Sequence, residues 1–296
     1  MATLSIPSLL RLRDVSHSDR VSTYAEIAAR IDACRRALAD IGLTIKPNSA
    51  LSQLFAKADR LNRAWIAQDD SEDVLTLCAT DEAAWIADAI LGAIDERGSH
   101  QAIRRIAKSD MRLSQRHSSQ GKDALWELSL REFLRLRGVT TTFKDPPDLE
   151  IPLPDMLGDV GIACKKVYSE ESVEKQFSKG LAQLKPYSGV GMVAFNLDDL
   201  IPGGRILRVE NAEEGMSMLH SFNLAFIDRH RSYFQKAVKD GRCLGVWAAT
   251  TMQMDVADQP TRFSRATQHD LWTLTDANIA ARIRTSELAR LINAAD

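Results

Sequence analysis

Between Trp126 and Tyr187 the chain carries Glu127, Asp148, Glu150, Lys165, Gln183 and Tyr187, an ordered set of carboxylates, one cation and two neutral polar groups. Carboxylates hold Mg²⁺ or Mn²⁺ through oxygen, and a neighbouring ammonium orients an attacking water or stabilises developing negative charge. Residues two apart in a strand share a face, so Asp148 pairs in direction with Glu150, and Ala163 with Lys165. The chemistry open to such a set is metal-assisted hydrolysis of a phosphodiester. It requires Asp148 and Lys165 on adjacent strands with side chains within ~6 Å, close enough for charge coupling.

The elements that must position these residues follow from the surrounding pattern. Leu125 to Arg137 reads as a helix closed by Gly138 and carrying Glu127. Val139 to Phe143, Asp148 to Leu153 and Gly161 to Tyr168 read as strands. Glu171 to Leu184 reads as a helix with the apolar stripe Val173, Phe177, Leu181 and Leu184. Gly189 to Leu197 and Cys243 to Met252 read as further strands, with one long helix from Glu213 to Lys239 between them and a helix from Asn278 to Asn293 at the end.

Before this stretch the chain is helical. Ile27, Ile31, Cys34 and Leu38 recur at helical steps, as do Leu51, Leu54, Phe55, Ala58, Leu61 and Trp65, and helices are expected over Asp81 to Glu96 and His100 to Met111. On that periodicity Trp65 and Trp85 are core residues. The basic run Arg104, Arg105, Lys108, Arg112, Arg116, His117 and Lys122 reads as a solvated face, with a phosphate patch as the other reading. The polar segment Ser114 to Gly121 reads as a linker, so the expected organisation is a helical domain over 1–118 and an α/β (α+β) domain over 119–296.

Composition is that of an ordinary globular protein: 296 residues, 45% hydrophobic and 26% charged. Lysine and arginine number 38 against 40 acidic residues, so nucleic acid binding must rest on a local patch. Four scattered cysteines offer neither a zinc spacing nor a disulfide framework, which points to a reducing cytoplasm. No stretch approaches the ~20 apolar residues of a membrane span, so no membrane partner is expected. Cys164 has no histidine near it in sequence and reads as a small buried residue.

The helix-borne Glu127, the literal Pro147-Asp148 and the Cys164-Lys165 pair resemble the PD-(D/E)XK nuclease superfamily over roughly residues 121 to 200. The resemblance implies a restriction-endonuclease-like domain, a central mixed β-sheet flanked by helices. It implies a Mg²⁺ or Mn²⁺ site with Glu127 as an additional ligand beside Asp148. It also implies that Gln183 and Tyr187, similar to the Gln-x-x-x-Tyr element of the RecB-like branch, position the nucleic acid. DNA is then the expected substrate, RNA a further one, in defence, restriction or repair.

The departure from the motif is Ala163, which stands where an acid is expected. Either Glu150 supplies the missing oxygen from the neighbouring strand, making Asp148, Glu150, Glu127 and Lys165 the catalytic set, or the fold binds nucleic acid or a protein without cutting. The N-terminal helices are the expected surface for a protein partner or a second copy.

Overall fold

A computed structural model describes residues 9–11, 22–69, 73–154, 157–202, 206–259, 263–275 and 277–293. The chain is mixed α/β, with helices first and a sheet after them. It divides into two compact units, one over 18–132 and the other over 133–296 together with a short N-terminal strand. The division falls at Glu132/Phe133 inside a helix, whereas the linker-like segment ends where that helix begins.

In the first unit, α1 (Tyr24–Asp40) opens on a reciprocal cap: Thr23 Oγ1 accepts from the Glu26 N–H at 3.2 Å while the Glu26 carboxylate accepts from the Thr23 N–H at 2.7 Å. Its buried residues are the expected Ile27, Ile31, Cys34 and Leu38. Helix α2 (Ala50–Ile66) is capped by Ser49 and α3 (Val74–Leu91) by Asp73. The latter begins seven residues before the expected Asp81, because Asp73 accepts from the Thr76 N–H at 2.8 Å and starts the helix there. Arg30 to Asp88 and Arg35 to Asp59, each 2.7 Å, tie the three helices together. The short α4 (His100–Lys108) buries Ala102, Ile103, Ile106 and Ala107. Trp65 departs from expectation: it is 67% exposed, at the last turn of α2, where it meets the Tyr24 ring edge-on. Helical periodicity carries it to the end of the stripe, in the last turn of α2, where burial is incomplete.

Part of the basic run is engaged by other groups of the first unit. Arg105 pairs with Glu127, Arg112 binds Asp110, and the buried Lys122 donates to the carbonyls of Gln115 and His117. The Arg112 guanidinium holds the Asp110 carboxyl well below the usual carboxylate range. Arg104, Lys108, Arg112, Arg116 and His117 are exposed, so most of the run is the expected solvated face.

Helix α5 (Gln120–Leu136) leads into the second unit. The described strands there are β1 (Leu9–Arg11), β2 (Thr142–Phe143), β3 (Leu149–Pro152), β4 (Asp159–Lys166), β5 (Gly191–Asn196), β6 (Ile206–Val209), β7 (Gly245–Val256) and β8 (Phe263–Trp272). They form one mixed sheet in the order β1-β8-β7-β5-β4-β3-β2, with β6 also on β7. Strands β2, β3 and β4 form an antiparallel meander; β4, β5 and β7 run parallel. Central strands β4 and β5 are buried almost throughout, as parallel strands covered on both faces must be.

One face is covered by α6 (Val173–Gln183), α7 (Ala212–Arg229) and α8 (Arg231–Lys239). Phe177, Phe195, Phe226 and Phe234 form the centre of its core. The single long helix expected from Glu213 to Lys239 is broken at His230, whose backbone leaves helical geometry and whose Nε2 lies 2.6 Å from the Glu170 carboxylate. After the break Phe234 packs edge-on to Phe177 at 4.9 Å. Helix α9 (Ile279–Asn293) closes the chain. No helix among the described residues is long and apolar enough to cross a membrane.

Candidate active site on the β3–β4–α6 face

The site is built where the antiparallel β3–β4 pair meets the end of α6. Backbone N–H groups of Gly161 and Val167 donate toward β5, so alternation turns the N–H of Cys164 toward β3. The β3 ladder stops at Leu149 opposite Ile162, and the Asp148 carboxylate takes that N–H instead, with Oδ2 at 2.6 Å.

Lys165 follows on the α6 side. Its ammonium lies 3.3 Å from Asp148 Oδ2 and 2.7 Å from the carbonyl oxygen of Cys164, and it donates to Gln183 Oε1. Gln183 closes the ring by donating its Nε2–H to Asp148 Oδ1 at 3.3 Å. Strand pair and helix thus surround one ammonium with a carboxylate, a backbone carbonyl and an amide oxygen. The side chains of Lys165 and Asp148 are only 12% and 13% exposed, which strengthens their attraction relative to a solvent-facing pair.

Beside this ring stands a second cluster, centred on Glu150. Glu150 accepts from the Tyr187 hydroxyl, lies 3.1 Å from Lys144 Nζ and accepts from Thr142 Oγ1 at 3.5 Å. Burial raises the Glu150 carboxyl, but hydrogen bonds from Tyr187, Lys144 and Thr142 outweigh it, and the group stays below its ordinary value. Burial and the Glu150 carboxylate together push the Tyr187 hydroxyl upward. Tyr187 lies four residues beyond Gln183, in the tight turn that follows α6, and Glu150 two beyond Asp148, so each helix-side group meets one carboxylate.

α6 can come this close because Gly180 has no side chain; a Cβ there would lie 2.8 Å from Val193 Cγ1. Ala163, opposite Val193 on β5, is fully buried in the apolar core with Phe177 and Leu181. The place of the missing acid is hydrocarbon. Glu127 belongs to the first unit, where it is buried and its Oε2 accepts from Arg105 at 2.6 Å.

The chemistry of the donor set bears on metal binding. Among the described residues no group of three or more His, Cys, Asp or Glu side chains is placed to hold a metal ion. Asp148 and Glu150 nevertheless offer hard carboxylate oxygens from one end of one strand. Mg²⁺ commonly uses one or two carboxylates, completing its shell with water and substrate phosphate. The pair fits that ion in kind.

Several chemistry-bearing residues escaped the sequence reading. Lys144 and Thr142 join Glu150 only through β2–β3 register, in which Thr142 faces Glu150. Lys166 turns away from Lys165 into a buried ion pair with Asp199 at 2.8 Å and a hydrogen bond to Asn196 at 2.6 Å. The pair Asp198-Asp199 directly after an apolar strand was the signal for it. A third network is buried behind α7. Asp270 receives His220 Nδ1 at 2.7 Å, Asn223 Nδ2 at 2.7 Å and Gln268 Nε2 at 3.1 Å, and Thr250 donates to Asn223 at 2.5 Å.

Comparison with protein-family models, with curated proteins and with solved structures gave no match.

Proposed function

We propose that the second unit is a nuclease domain of the restriction-endonuclease-like kind that hydrolyses phosphodiester bonds of DNA with Mg²⁺ or Mn²⁺. The observation that carries this reading is the closed ring of Asp148, Lys165 and Gln183, drawn from three successive elements. Asp148 and Glu150 would hold the cation, which when bound polarises a phosphoryl oxygen and activates water. Lys165 supplies a positive charge where negative charge develops on the phosphate, at a position fixed by Gln183 and the Cys164 carbonyl. Tyr187 holds Glu150 ionised and in place. Purified protein supplied with Mn²⁺ is expected to nick plasmid DNA, and Asp148→Ala to abolish nicking; unchanged nicking by Asp148→Ala sinks the proposal.

A second reading is favoured by one observation. Each carboxylate is matched by a lysine, Asp148 by Lys165 and Glu150 by Lys144, while Ala163 lies in hydrocarbon. A charge-balanced site of this kind suits a domain that binds nucleic acid or a protein without cutting. Binding of DNA with no cleavage across several substrates and metals decides for it.

A further inference from the structure

The residues that contact the ring and the Glu150 cluster belong to a longer line on α6. Lys175, Lys179, Gln183 and Tyr187 recur at intervals of four and so form one ridge along the helix and the turn that follows it. Each step of four overshoots a full turn by about 40°, so the ridge winds slowly around the helix. Lys175 and Lys179 are exposed, whereas Gln183 and Tyr187 are partly buried against Asp148, Lys165 and Glu150. The line therefore begins in solvent and ends in the site. From Lys175 to Gln183 it covers about 12 Å.

Charge is distributed accordingly. Lys175, Lys179 and the exposed Lys185 face solvent along this part of the chain. The acids nearby are at the start of the helix: Glu170 is engaged by Arg229 and His230, Glu174 by the Tyr233 hydroxyl, and the exposed Glu171, four residues before Lys175, by the Ser169 side chain. The protein as a whole is close to neutral, so this stripe is not part of a general positive field.

Resting on the nuclease reading of the adjoining site, we propose that the Lys175–Lys179 ridge is the track on which the backbone of a nucleic acid strand lies as it enters. The lysines bind phosphate without reading sequence. Gln183 then hands the strand to Lys165 and Asp148.

The test is binding of a fluorescent single-stranded DNA oligonucleotide, measured by anisotropy between about 50 and 200 mM salt. Cleavage is prevented in two ways, by chelator with wild-type protein and by Asp148→Asn with Mn²⁺. Lys175→Glu/Lys179→Glu is expected to weaken binding about tenfold or more and to reduce the salt slope by about 0.7 per lysine. A control of equal charge change in the first unit, Lys46→Glu/Lys57→Glu, is expected to leave the slope unchanged. An unchanged slope in the ridge variant, an equal fall in the control, absence of binding in both backgrounds, or equally effective displacement by polyglutamate overturns the track. Plasmid nicking by the wild type is scored separately: DNA bound along the ridge without nicking retains the track and rejects the nuclease, whereas nicking with an unaltered ridge-variant slope does the reverse.

Discussion

Lys165 Nζ stands 3.3 Å from Asp148 Oδ2, and the next residue, Lys166, stands 2.8 Å from Asp199 Oδ2 on the other face of the same strand. Adjacent lysines thus serve unrelated pairs. Strand alternation separates them, and their environments give them different consequences when removed.

Lys165→Met is expected to lower nicking by at least about 100-fold, the scale of losing one group that stabilises transition-state charge. Its effect on stability should be modest, about 1–3 kcal/mol for hydrogen bonds to a charged partner. Lys166→Met should do the converse. It leaves Asp199 buried without its cation, and the loss expected is about 3–5 kcal/mol. Urea midpoints and nicking rates measured together check both; equal destabilisation by the two substitutions contradicts the separation.

If Glu150 stands in for the acid that Ala163 lacks, as proposed, Glu150→Ala is expected to be as damaging to activity as Asp148→Ala. Tyr187→Phe should weaken activity less, since it removes only the hydroxyl that holds Glu150. Plasmid nicking rates at saturating Mn²⁺ provide the comparison. Full activity in Glu150→Ala excludes a metal-binding role for it.

The same residue predicts a pH effect. The folded-state value of Glu150 lies below its ordinary one, so its contribution is present above the unfolded value of about 4.3 and is lost as pH falls through the folded value. Glu150→Gln should flatten the fall in stability in that acid window. Asp270 has the opposite sign, because burial raises it despite hydrogen bonds from Asn223, His220 and Gln268. Its contribution is complete below about pH 3.9 and declines as pH rises through the folded value. Asp270→Asn should remove that decline, which unfolding followed across pH would record.

Gly180→Ala is expected to cost about 1–3 kcal/mol by forcing a methyl group against Val193. Because α6 also carries Gln183, the displacement should lower nicking as well. Thermal melting and a nicking assay on the same preparation test this; a variant of unchanged stability and activity shows that α6 has room to move.

Sequence by itself determined the local part of this protein. The stripes of α1, α2 and α6, the alternation of helices and strands after the helical region, and the shared face of Asp148 and Glu150 were all legible, because periodicity reports which side of an element is buried. Tertiary structure decided which of those faces meet. It assigned Glu127 to Arg105, surrounded Glu150 with Thr142, Lys144 and Tyr187, and left Trp65 in solvent. It also made a strand of Phe263–Trp272 and buried its Gln268, His269 and Asp270. Their partners His220, Asn223 and Trp247 lie between 22 and 50 residues away in the chain. A buried polar group is tolerated only where a partner satisfies it, and the identity of that partner depends on sheet register and helix docking, which no local pattern encodes.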